Sequence, residues 1–81
     1  MKSTSWEEKE GALERKFEFA DFSEAWGFLN QVARVAEKQN HHPEIFNVYN
    51  RVGLRLSTHD IGNKVGPKDH ALAKAIDAIF D

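Results

Sequence analysis

Residues 43–60 read PEIFNVYNRVGLRLSTHD, and how this stretch pairs with itself decides the architecture. It divides into two strand-forming runs on either side of Asn50-Arg51. Asn50 tolerates the positive φ that a two-residue hairpin turn requires, while Arg51 suits that place less well. A turn there sets Tyr49 opposite Val52, Asn47 opposite Leu54 and Ile45 opposite Leu56. Ile45, Tyr49, Val52, Leu54 and Leu56 then share the face expected under helices. Phe46, Val48, Arg55, Ser57 and, at the strand's end, His59 share the other.

Upstream, DFSEAWGFLNQVARVAEKQN (21–40) switches to helical spacing. Phe22, Ala25, Trp26, Leu29, Val32, Ala33 and Ala36 recur at steps of three and four and form one apolar stripe. Asp21 with Glu24 three places on reads as a capping box, with Ser23 as a rival cap. The helix is expected to run to about Gln39, because Pro43 holds His42 out of helical conformation. Further upstream, ALERKFEFA (12–20) alternates, with Leu13, Arg15, Phe17 and Phe19 to one side. SWEEKEG (5–11) supplies a short partner strand with Gly11 near the turn. Downstream, Pro67 opens a last helix whose stripe is Leu72, Ala75, Ile76, Ile79 and Phe80. The order strand-strand-helix-strand-strand-helix predicts an α+β fold: a four-stranded antiparallel sheet with two amphipathic helices on one face.

At 81 residues the chain is expected to be one domain, 1–81, with a thin margin of stability. Without cysteine it has no disulfide, thiol chemistry or Cys-based zinc site. That composition fits a cytoplasmic protein, and self-association is the expected way to enlarge a small core. MKSTSWEEKEG lacks the apolar run of a signal peptide, and no 18-residue apolar segment offers a membrane span. Eleven Lys and Arg, scattered among thirteen Asp and Glu, leave a formal charge of −2 and no basic stripe for nucleic acid.

The histidines carry the chemistry. His41 and His42 lie where the first helix hands over to the hairpin, and His59 lies where the hairpin ends. An antiparallel pairing lays those two points side by side, so topology alone is expected to gather three imidazoles. They could be metal ligands, proton carriers or solvated surface residues. Adjacent residues in extended chain point to opposite sides, which makes His41 and His42 awkward joint ligands of one ion. Imidazole gives and takes protons near neutral pH, so proton transfer is the better-supported functional reading. His70 reads as a surface residue, and Trp26 as core rather than a stacking platform. GNKVG (62–66) lacks the pattern of a phosphate loop.

EKQNHHPEIFNVYNRV (37–52), LRLSTHD (54–60) and KDHALAKAID (68–77), together with FEFADFSEAWGFLNQVA (17–33), closely resemble the pterin-4a-carbinolamine dehydratase family, also called the dimerisation cofactor family. The resemblance implies the same four-stranded sheet with helices on one face. It implies dehydration of 4a-hydroxytetrahydropterin (in tetrahydrobiopterin recycling, 4a-hydroxytetrahydrobiopterin) to the quinonoid dihydropterin, with no metal and no cofactor beyond the pterin substrate itself. Carried over by position, the catalytic residues are His41, His42 and His59. The substrate-binding set is Asn40, His41, His42, Ser57, Thr58, His59 and Asp60, with Asp69 and Glu37 supporting the histidines. It further implies a homodimer or homotetramer and a functional link to an aromatic amino acid hydroxylase. Asn40, Asn63 and Gly66 depart from common family residues. The competing reading is a protein-interaction module, a transcriptional dimerisation cofactor without catalysis, presenting the last helix through Leu72, Ile76 and Ile79.

Overall fold

The computed structural model describes residues 2–59, 62 and 64–81. Its elements are β1 (Lys2–Ser3), β2 (Glu7–Lys9), β3 (Ala12–Glu18), α1 (Phe22–Gln39), β4 (Glu44–Val48), β5 (Arg51–Leu56) and α2 (Pro67–Phe80). The strands form one antiparallel sheet in the order β1-β3-β5-β4, with β2 also paired to β3. The α+β architecture is as expected, with five strands instead of four because the N-terminal strand is broken in two. Ser3 pairs with Phe17 but Glu7 pairs with Glu14, so the arm holds one more residue than β3 between those rungs, as in a bulge. The break is filled by side-chain bonds. The Thr4 hydroxyl accepts the Lys16 N–H, and the Thr4 carbonyl accepts Arg15 Nε–H.

The hairpin of residues 43–60 forms, with its turn one residue earlier than expected. Val48 pairs with Arg51, leaving Tyr49 and Asn50 as the loop, and the positive φ of 50° falls on Tyr49. Asparagine chemistry explains the shift. Asn47 Nδ2 donates to the carbonyls of Tyr49 and Arg51, closing the turn from inside. Asn50 is engaged with Phe19, donating from Nδ2 to its carbonyl and accepting its N–H. Ile45 therefore faces Leu54, and Asn47 faces Val52. The slip is two residues, so every side chain keeps its face.

Leu13 and Phe17 of β3 and Val52, Leu54 and Leu56 of β5 form the buried side of the sheet, under the helices. Ile45 lies on that side but is 51% exposed, and Tyr49 is exposed too, because the helices do not reach over the edge strand β4. The α1 stripe also lies differently from the expected one. Ala25, Phe28, Leu29, Val32 and Ala36 face the core, whereas Phe22, Ala33 and Trp26 (51% exposed) do not. Phe28, absent from the expected stripe, packs among Phe17, Phe19 and Phe80. The Asp21 cap and its Glu24 partner are present: Asp21 accepts the Glu24 N–H, and Glu24 accepts the Ala20 N–H. In α2, Leu72, Ala73 and Ile76 are buried, with Ala75, Ile79 and Phe80 half-buried.

Candidate active site

Helix α1 ends at Asn40, which takes a left-handed conformation (φ 52°). Asparagine tolerates that region better than most residues, so it is a fit C-terminal cap. The turn it makes returns the His41 N–H to the Ala36 carbonyl at 3.1 Å. The two histidines therefore leave the helix at a fixed angle, just before Pro43 and the start of β4.

His41 is mostly buried, and its Nε2 lies 2.6 Å from Asp69 Oδ1. Asp69 stands in the first turn of α2 and is 0% exposed. Its other oxygen accepts the Thr58 hydroxyl at 2.7 Å and the Gly66 N–H at 2.9 Å. Burial pushes the Asp69 carboxyl toward its neutral form. The hydrogen bonds from His41, Gly66 and Thr58 outweigh that and hold its pKa below the ordinary value. The site is thus built around a buried anion whose donors come from three separate segments of chain.

His42 has a different setting. Its Nε2 lies 2.7 Å from Glu37 Oε1, in a pair open to water: the His42 side chain is 56% exposed and that of Glu37 79%. His59 follows Thr58 directly, in a short turn where its carbonyl accepts the Gly62 N–H at 3.0 Å. Its side chain is exposed. Carried past Glu44↔Arg55, the hairpin register sets the His41 position opposite Thr58, and both residues do converge on Asp69. His59 is one residue beyond Thr58 in the chain, and among the described residues its exposed ring makes no hydrogen bond to His41, His42 or Asp69. Ser57 is half-buried between Leu56 and Thr58, and Asp60 lies outside the described residues, as does Asn63.

Two of these jobs were not apparent in the sequence. Thr58 gives its hydroxyl to Asp69, and Asn40 shapes the helix end. The sequence did carry a signal for the Asp69–Gly66 bond: Asp69 is three residues after Gly66 with Pro67 between, the N3 place from which a carboxylate reaches back to the N-cap. Among the described residues, no group of three or more His, Asp or Glu is arranged to hold a metal ion. A hollow of about 670 Å³ lies on the uncovered face of the sheet around Lys16, Phe46, Gly53 and Arg55, and no histidine lines it. Arg55 there is already paired with Glu14 and Glu44, so the hollow lacks the imidazole–carboxylate pairs found at His41–Asp69 and His42–Glu37.

These features define an α+β protein with imidazoles held by carboxylates at the junction of a helix end, a hairpin end and a second helix start. The family model described as pterin 4 alpha carbinolamine dehydratase matches residues 1–79. A protein of Prochlorococcus marinus named "Putative pterin-4-alpha-carbinolamine dehydratase" is 51% identical over 75 residues, which cover 93% of this chain and 77% of that one. A Rhodospirillum rubrum protein of the same name is 59% identical over 68 residues, 84% of this chain and 70% of its own. Among solved structures, the transcriptional coactivator/pterin dehydratase from Brucella melitensis superposes with a TM-score of 0.86 at 46% identity, covering 91% of this chain and 80% of that one. A pterin dehydratase-like protein described as a RuBisCO assembly factor in the alpha-carboxysome gives 0.79 at 25% identity, over 94% of this chain and 89% of its own. The chain belongs to the pterin-4-alpha-carbinolamine dehydratase family.

Proposed function

We propose that this protein dehydrates 4a-hydroxytetrahydropterin to the quinonoid dihydropterin and water, by acid and base catalysis from histidines. The observation that carries the reading is the His41–Asp69 pair, with Thr58 and Gly66 closing the other side of the carboxylate. A carbinolamine carbon bears both a hydroxyl and an amine. Its C–O bond breaks as the neighbouring nitrogen lone pair forms a C=N bond, and a ring N–H proton is then lost. The reaction asks for a proton donor at the leaving oxygen and an acceptor at the nitrogen, and no electron carrier. His42 or His59 protonates the departing hydroxyl, and another ring of the set takes the nitrogen's proton. Asn40, Ser57 and Thr58 belong to the walls of the pterin slot, with Thr58 contributing its carbonyl because its hydroxyl is committed to Asp69 and its N–H to Lys64.

In this reading the protein works as a homodimer or homotetramer in the cytoplasm and serves an aromatic amino acid hydroxylase by returning its pterin. Leu72 and Ile76 are buried and Ile79 half-buried, so the last helix does not present the surface expected of an interaction module, and the exposed Phe22 and Trp26, stacked 5.8 Å apart, support that second reading instead. Turnover of synthetic 4a-hydroxytetrahydropterin separates the two. Of the variants His42→Ala and His59→Ala, the one that removes the acid is expected to lose about 10²–10⁴-fold in kcat, the usual worth of a positioned acid or base. Both variants should keep the wild-type fold by circular dichroism. Turnover undiminished in both variants would remove His42 and His59 as the acid.

A further inference from the structure

His41 and His42 each have two ring nitrogens, and in both rings the one that meets a carboxylate is Nε2. An ionised carboxylate can only accept hydrogen bonds. At 2.6 and 2.7 Å, each Nε2 must therefore carry the hydrogen. A neutral imidazole has one N–H, so Nδ1 keeps its lone pair in both rings.

We propose that Asp69 and Glu37 fix His41 and His42 as the Nε2–H tautomer, so that Nδ1 is the working nitrogen of each ring and Glu37 is a positioning residue for His42. The use of this arrangement rests on the proposed dehydration, but the tautomers themselves do not. The two locks differ in kind. Asp69 is buried and tied by Thr58 and Gly66, so it cannot turn away from His41. It is also placed to compensate the positive charge that forms when His41 Nδ1 takes a proton, as the carboxylate of a catalytic triad does for its histidine. Glu37 and His42 are both open to water, so that lock is weaker, and the ring can exchange its protons with solvent.

The division of labour follows. His42, protonated on both nitrogens, gives its Nδ1 proton to the 4a-oxygen as the C–O bond breaks and water departs. The adjacent nitrogen lone pair becomes the C=N bond, and His41 Nδ1 takes the N–H proton. His42 regains a proton from water, and His41 gives its own up, which restores both rings.

The test is long-range ¹H–¹⁵N correlation of the ring nitrogens in labelled protein, at a pH where the rings are neutral. In wild type, Nε2 of both residues should show the shift of a protonated nitrogen and Nδ1 that of a bare one. Glu37→Ala, at an exposed site, should release His42 into a mixture of tautomers and leave His41 unchanged. Its kcat should fall about tenfold, in line with the loss of a group that orients a functional histidine, with KM nearly unchanged. An Nδ1–H tautomer at either ring in wild type, or an unmoved His42 in Glu37→Ala, overturns the assignment. Absence of pterin turnover with the tautomers as stated would instead defeat the proposed activity and leave the assignment standing.

Discussion

At Asp69 a carboxylate sits fully out of water and stays ionised, because His41, Thr58 and Gly66 all donate to it. Replacing it with Asn removes the charge and turns one acceptor into a donor facing other donors. The cost expected for such a mismatch at a buried group is about 1–3 kcal/mol. Its pH dependence has a definite sign. The folded-state pKa lies below the ordinary value of 3.8, so the folded protein resists protonation there more than the unfolded chain does. The stabilisation is therefore fully present above about pH 4 and is lost as pH falls through the depressed value. Urea midpoints of wild type and Asp69→Asn should stay a constant distance apart from pH 7 to about pH 5, then converge in more acid solution. A gap that closes already between pH 7 and pH 5 would show that Asp69 does not hold the charge that the geometry assigns to it.

Among the elements, the N-terminal arm is held to α2 through Arg15. This guanidinium is buried beneath the helices, between the rings of Phe17 and Phe80. It pairs with Asp77, bonds Ser3 and Thr4, and lies 3.5 Å from Asp81. Trp6 Nε1–H donates to the same Asp77 oxygen at 2.7 Å. Asp77→Ala should strand a buried cation and free Trp6, destabilising the fold by about 2–3 kcal/mol. Amide exchange at residues 2–9 should quicken more than exchange in β5. Equal acceleration across the sheet would mean that Asp77 stabilises the fold without acting as the arm's tether. This latch also marks the limit of what periodicity discloses. Alternation put Arg15 on the same side as Leu13 and Phe17, correctly, but a period of two names no partner, and Asp77 is far along the chain. The same limit explains α1. Phe22, Trp26 and Ala33 fit a stripe as well as Phe28 does, and only the position of the sheet and α2 chooses between them. His41 and His42 were legible as candidates from their place at the helix end. Their carboxylate partners were suggested by the family resemblance, and the role of the Thr58 hydroxyl needed the tertiary contact.

For the whole molecule, the two edges of the sheet are treated very differently. One edge is formed by β1 and β2, which are short, interrupted by the bulge and lined by Glu7, Glu8 and Lys9, features that discourage strand addition. The other edge is β4, a regular five-residue strand reading EIFNV, with Ile45, Phe46 and Val48 exposed and Tyr49 exposed beside it. An unpaired edge of this kind is a template for another strand. Antiparallel pairing of β4 with β4 of a second copy would satisfy the free backbone groups symmetrically, as a two-fold interface requires. It would also extend the sheet and bring apolar side chains of both copies together on each face. Self-association through β4 is thus the expected state, in keeping with a chain whose own core is small. Sedimentation at micromolar concentration should give a species larger than the monomer, and Phe46→Lys with Val48→Lys should return it to monomer with the sheet intact. A wild type that sediments as monomer across that range would leave the β4 edge without its partner and remove the second copy from the picture.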